Sequence, residues 1–309
     1  MRVTSLTWIA LLVPLTAAAQ TAPSAEPEFK IKDNSFLVEE AFNQEPGIVQ
    51  HIFGLTRARD SWQFTFTQEY PAPTTTNQLS YTLAFVAIGD DHGFGDTLIN
   101  YRRQVLDEGP GRPAFAPRIS LVLPTGRTEL QDLQGPQTEP GFGYGSVGLQ
   151  VNLPFSKQEG DWYLHWNGGF TWLPNADTPR PVAFDPALRR RVPQGEPEKV
   201  VLFSPHLAAS GIYRLRDMLN LMLESTLDFT QSPVAPAETA RETVFTLSPG
   251  LRGGWNRGEW QIIVGAAVPV TWSGGDRDHA VFGYFSLEGP FKGLRKPSTS
   301  QTTSGSPRP

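Results

Sequence analysis

Residues 162–172 read WYLHWNGGFTW, and residues 260–272 read WQIIVGAAVPVTW. In the first, Trp162, Leu164, Trp166, Gly168, Phe170 and Trp172 share one parity, while Tyr163, His165, Asn167, Gly169 and Thr171 share the other. Successive side chains of an extended chain point to opposite faces, so one face is apolar with tryptophan at both ends and the other is polar. In the second, Trp260, Ile262, Val264, Ala266, Val268, Val270 and Trp272 form the apolar face. A strand of this length, rising ~3.3 Å per residue and tilted ~40°, projects onto roughly 25–30 Å of membrane normal. That is the height of the apolar band on a membrane barrel, with aromatic girdles at its two edges. A strand of a soluble sandwich averages only ~5–6 residues and has no reason to carry tryptophan at both ends.

The same alternation recurs outward from these two segments. Trp62, Phe64 and Phe66 alternate with Gln63, Thr65 and Thr67, and Leu221, Leu223 and Leu227 oppose Asn220, Glu224 and Asp228. In all, twelve strands are expected, near 48–58, 62–70, 79–85, 94–106, 114–123, 147–155, 162–172, 201–215, 219–229, 245–255, 260–272 and 279–291. The expected fold is all-β: a closed antiparallel transmembrane β-barrel of about twelve strands, an even number as bacterial single-chain barrels require. Long outer loops are expected at 124–142, 173–199, 231–243 and 273–278, with tight turns at the other rim near 157–160, 216–217 and 256–258. Pro117, Pro205, Pro249 and Pro269 fall inside expected strands. Each removes a ladder donor, so bulges or breaks are expected there.

The chain ends frame this barrel. Arg2, the apolar run 8–15 and Ala17-Ala18-Ala19 have the layout of a cleaved signal peptide over residues 1–19. A leader over 20–46 follows, in which DNSFLVEEAFNQEP (33–46) is expected to form a short helix capped by Asp33 or Asn34. The barrel is assigned to 47–291, its last strand ending on Phe291, and the Ser/Thr/Pro/Gly-rich 292–309 is read as a disordered tail. A terminal aromatic on an alternating strand is the kind of signal that outer-membrane assembly machinery reads.

Composition removes several function classes. A net charge of −5 argues against nucleic-acid binding, which needs a basic face. The absence of cysteine excludes thiol catalysis. The five histidines show no metal-ligand spacing, and no cofactor is expected. Gly143 to Gly148 fits G-x-G-x-x-G but is followed by a strand pattern, not the helix that dinucleotide binding needs. His206 with Ser204 or Ser210 is the one pairing that could suggest a barrel hydrolase, yet along a strand those side chains sit ~7–13 Å apart. What remains on polar faces is a set of candidate lumen residues: Arg102, Arg118, Arg214, Arg252, Asp96, Glu224, Asp228, His165 and His206. Such groups either constrict a pore and touch a polar solute, or fill the lumen by charge pairing. The candidate aromatic girdle is Trp62, Trp162, Trp172, Trp255, Trp260 and Trp272.

The runs GFGDTLINYRR (93–103), RISLVLPTG (118–126), GYGSVGLQVNLPF (143–155) and GDWYLHWNGGFTW (160–172) resemble the putative MetA-pathway of phenol degradation family. YRLRDMLNLMLEST (213–226) and LSPGLRGGWNRGEWQIIVGAAVPV (247–270) continue the likeness in order. Membership implies an outer-membrane barrel that passes hydrophobic aromatic compounds, with no catalytic residues to carry over. The functional expectation is therefore a non-enzymatic channel for passive passage of small solutes, aromatic or hydrophobic ones among them, with 33–46 as a candidate plug. The alternative is a structural or surface-interaction barrel whose long loops, including Arg180, Arg189, Arg190 and Arg191, meet lipopolysaccharide phosphates. A lipid hydrolase ranks third. The expected partners are membrane lipid, lipopolysaccharide, a small solute and the assembly machinery, with no nucleic acid.

Overall fold

The computed structural model describes residues 31, 35–131 and 133–291. The expected signal peptide and C-terminal tail lie outside the described residues. Twelve staves form the wall. They are β1 (Ile48–Arg57), β2 (Ser61–Pro71), β3 (Asn77–Ile88) and β4 (Asp91–Phe94, continued as Thr97–Arg103). Next come β5 (Ala114–Phe115, continued as Arg118–Leu123), β6 (Gly148–Glu159), β7 (Trp162–Asp177) and β8 (Lys199–Arg216). The last are β9 (Leu219–Ala235), β10 (Glu238–Arg257), β11 (Trp260–Ala267, continued as Val270–Ser273) and β12 (Asp276–His279, continued as Val281–Pro290). Each stave pairs antiparallel with the next, and β1 closes on β12 from Ile48↔Pro290 to Arg57↔Val281. Closure leaves no strand edge with unpaired backbone groups, which is what allows strands to cross lipid.

The two faces separate as the alternation requires. All six expected girdle tryptophans are 37–49% exposed on the outside, so they face lipid. Trp162, Trp255 and Trp260 lie toward the rim where β1 begins; Trp62, Trp172 and Trp272 lie toward the opposite rim. Inside, Gln50, Asn220, Ser248 and Ser286 are fully buried. A polar interior beneath an apolar exterior inverts the soluble pattern and marks a membrane barrel.

Three expectations need correction. No helix forms over 35–46; this strap runs as bends and extended backbone inside the lumen. Its amides donate to the wall instead: Leu37 N to Glu224 Oε1 at 3.0 Å, Ala41 N to Ser156 Oγ at 2.8 Å and Gln44 N to Gln78 Oε1 at 2.8 Å. Those bonds replace the i→i−4 bonds that a helix would supply. Second, 231–243 and 273–278 are not loops, because β9–β10 and β11–β12 extend to tight turns at 236–237 and 274–275. Third, Pro205 and Pro249 sit within continuous strands. The wall does break at Pro117 and Pro269. Val268 N donates to Pro249 O at 3.0 Å, so Pro249 turns its missing donor toward the break at Pro269. The two prolines thereby share one gap in the ladder.

The long connections, 124–147 and 178–198, pack together over the far rim. Arg180 meets Glu129 with Nε at 2.8 Å and Nη2 at 2.5 Å, and Gln137 Nε2 reaches Val234 O at 2.7 Å. Within 178–198 a hairpin of Val182–Asp185 and Arg190–Pro193 stands outside the wall.

Candidate functional site

The site is the lumen, and the strap divides it. Glu39 is the hub. Its carboxylate takes Arg118 Nε at 2.9 Å, Arg102 Nη1 at 3.3 Å and Asn152 Nδ2 at 2.5 Å. Its carbonyl takes Asn167 Nδ2 at 3.1 Å. Residues from β4, β5, β6 and β7 thus converge on one strap residue. Arg102 also donates to Glu40 O at 3.1 Å and lies 3.7 Å from Glu69 on β2. Its side chain is only 3% exposed, so this carboxylate shell offsets the cost of burying its charge. Burial, more than the opposing pull of Arg102, pushes the Glu40 carboxyl up to about 8, with Glu69 and Glu39 adding to the rise. Glu40 lies on the strap, outside the spanning strands.

Toward β8–β12 the strap is held by different chemistry. Ser35 Oγ meets Ser210 Oγ at 3.1 Å, and Leu37 and Val38 amides share Glu224 Oε1. The Phe36 ring packs against Phe282 and Tyr284 with centroids 5.4 and 5.1 Å apart, and Phe42 packs against Tyr163 at 5.5 Å. Above the strap, toward the far rim, a cavity of about 380 Å³ is lined by Thr56, Thr65, Thr67, Asn100 and Arg118 on one side and Phe36, Phe282 and Tyr284 on another. Smaller cavities continue past Glu39 and Arg118 to His206 and Asp228, and from there to Tyr144 and Gln231 beneath the loops.

Of the nine expected lumen residues, Arg102 and Arg118 are brought together through Glu39. Glu224 binds the strap, and Arg252 is buried with Nε 3.2 Å from Asn220 Oδ1. His206 Nε2 donates to Asn152 Oδ1 at 3.2 Å, and Asp228 accepts from Thr226 on the same wall. His165 Nδ1 bonds Ser156 Oγ at 2.7 Å. Two residues lie elsewhere. Asp96 sits at the break within β4 and accepts Gly126 N and Tyr144 N, both at 3.0 Å, so it ties down a loop. Arg214 clamps the near-rim turns through Asp161 at 2.6 Å and Asp217 at 3.0 Å. The alternation gives a residue's face but not its height in the barrel, and both sit at the ends of staves. Glu39, Glu40, Glu69, Ser156 and Phe36 were not singled out from the sequence. The acidic pair in a leader preceding a lumen that carries arginines was the available signal.

The serine–histidine pairing expected least does not occur at His206. Ser204 Oγ accepts Gln231 N at 2.9 Å, and Ser210 is engaged with Ser35. Ser156 and His165 do meet, but both are buried and the serine oxygen already accepts the Ala41 amide. Gly143 and Gly145 of the glycine-rich run allow loop approaches to Gly126 and Asp177, and a strand follows them.

Over residues 39–180 the chain matches the family model described as Putative MetA-pathway of phenol degradation. The match begins at the hub glutamate and ends past β7, so it takes in strap and wall together. No curated protein matches the chain. Among solved structures, it is similar to the COG4313 outer membrane channel from Pseudomonas putida F1, at 11% identity and TM-score 0.58, covering 80% of this chain and 97% of that one. It is also similar to the translocator domain of autotransporter NalP from Neisseria meningitidis, at 10% identity and TM-score 0.45, covering 80% and 90%. The CymD monoaromatic hydrocarbon channel gives 10% identity and TM-score 0.43, covering 80% and 89%. The first of these likenesses shows the fold. The closed wall with its apolar exterior makes this chain an outer-membrane barrel set in lipid and lipopolysaccharide.

Proposed function

We propose that the chain is a non-enzymatic channel through which small solutes, aromatic or otherwise hydrophobic ones among them, cross the outer membrane passively. The observation that carries this reading is the strap. The cavities on the far-rim side end on a segment that crosses the lumen and that, among the described residues, is held by hydrogen bonds, ion pairs and ring contacts. Such contacts break and re-form without unfolding the wall. An aromatic solute is favoured because Phe36, Phe282 and Tyr284 present rings to the vestibule while threonines keep the opposite side wet. The family description, which names a phenol-degradation pathway, points the same way. The lumen arginines Arg102 and Arg118 then act as strap anchors rather than as a bare constriction. The β12 strand ending near Phe291 is read as the segment taken up by the assembly machinery.

The test is uptake of labelled benzyl alcohol by porin-deficient Gram-negative cells expressing the protein. Uptake several-fold above vector-only cells is expected, and uptake at the vector level would overturn the reading. A surface-interaction role is the second reading, supported by the outer hairpin, where Phe184 and Leu188 are exposed beside Arg189 and Arg190. Removing residues 182–193 would then abolish binding of cells to lipopolysaccharide-coated surfaces while leaving uptake intact.

A further inference from the structure

Among the described residues the lumen holds a socket shaped for a single aromatic ring, and the chain fills it with its own Phe36. Its walls are Phe282 and Tyr284 on β12, stacked at a tilt with Phe36. Its floor is Gly250 on β10 and Gly265 on β11. A methyl group at Gly250 would stand 3.0 Å from Phe36 Cε2, and one at Gly265 would collide with the ring. Ile263, Ala267 and Met218 complete an apolar lining. Glycine on two neighbouring strands, both under the same ring, makes a recess that a larger residue would fill. The open edge of Phe36 borders the vestibule, so a solute arriving from the far rim meets this ring together with Phe282 and Tyr284.

We propose that this recess is the solute-binding site of the channel, that Phe36 is a resident stand-in for a monocyclic aromatic ligand, and that the solute opens the channel by taking its place. The inference rests on the aromatic-passage reading above. Phe36 is one residue from Leu37, whose amide binds Glu224, and three from Glu39. Expelling the ring therefore pulls on two of the anchors that hold the strap across the lumen. A ligand and Phe36 that share one socket cannot occupy it together. Apparent affinity in the wild type is then reduced by the fraction of time the socket stands empty.

The experiment measures benzyl alcohol binding to the purified full-length barrel by calorimetry, with conductance recorded in planar bilayers. Phe36→Ala is expected to tighten binding at least tenfold, the factor for a socket that Phe36 occupies roughly nine tenths of the time or more. It is also expected to raise conductance without added solute. Gly265→Ala, which fills the floor, is expected to raise conductance by evicting Phe36 but to abolish benzyl alcohol binding, alone and combined with Phe36→Ala. These opposite signs separate a binding site from a packing contact, and Gly265→Ala provides the test should Phe36→Ala fail to fold. Unchanged affinity in Phe36→Ala, or retained binding in Gly265→Ala, would overturn the proposal. Wild-type uptake in porin-deficient cells with those affinities unmoved removes the socket and leaves the channel. Tightening in Phe36→Ala with no uptake removes the channel and leaves the socket.

Discussion

Glu39 binds two guanidiniums and two amides, and the consequence for stability can be bounded. Exposed ion pairs contribute about 0–1 kcal/mol, whereas breaking a fully buried pair costs ~3–5 kcal/mol. Glu39 and Arg118 retain 16% and 19% side-chain exposure, so they lie between those limits. Glu39→Gln should weaken strap docking by about 2–3 kcal/mol. The check is the fraction of open events in single-channel records, which should rise by one to two orders of magnitude. Glu40 behaves in the opposite way. Its carboxyl, held up at about 8 mainly by burial, is protonated at neutral pH. A raised acid pKa means that the docked strap favours the proton. Docking is therefore fully supported below the ordinary value of 4.5 and loses support as pH rises through about 8. Charge counting agrees: Glu39, Glu40 and Glu69 face Arg102 and Arg118, so one proton balances the cluster. Wild-type conductance should climb between about pH 5 and pH 8 and level off above that. Glu40→Gln, which needs no proton to dock, should hold the strap more firmly than the wild type at pH 7 and should flatten that climb; an unaltered climb would assign it to another group.

The strap is the element at which sequence and structure part company. DNSFLVEEAFNQEP has helix-compatible spacing and a capping residue, and nothing local forbids the helix. The competing partners, Glu224, Ser156 and Gln78, come from strands more than thirty residues away, and their bonds decide the conformation. The wall was legible for the opposite reason. A strand's face is written in its own parity, so the twelve staves and their outward tryptophans could be read from short windows. Loop length was less legible. The extension of β10 beyond the lipid band is largely polar on both faces and that of β9 carries Pro233, so alternation vanishes there although pairing continues to Ala235↔Glu238. Deleting residues 35–46 should remove the partition without harming the wall. The expected outcome is a several-fold larger, steadier conductance, and an unchanged conductance would show that the loops over the far rim are the true barrier.

At the scale of the molecule, closure between β1 and β12 makes the wall one cooperative unit. Phe53 on β1 meets Phe285 on β12 at 5.7 Å across this seam and Phe66 on β2 at 5.0 Å, so rings lock the closure on its lipid side. Without an edge, detergent finds no place to start unfolding. The outer-membrane protein should run at an anomalous mobility unheated and shift on boiling; recovery as a soluble protein with no shift would remove the architecture. The inner wall has a further property that concerns electricity rather than solutes. Strap and staves turn Glu39, Glu40, Glu69, Glu224, Asp228 and Glu288 inward, against Arg102, Arg118 and Arg252. Even with a proton on Glu40, acids outnumber bases along the path. Such a lumen attracts potassium and repels chloride. Under a salt gradient the open events of the wild-type barrel should therefore reverse at a potential of the sign set by cations, making it a weak battery oriented by its own carboxylates.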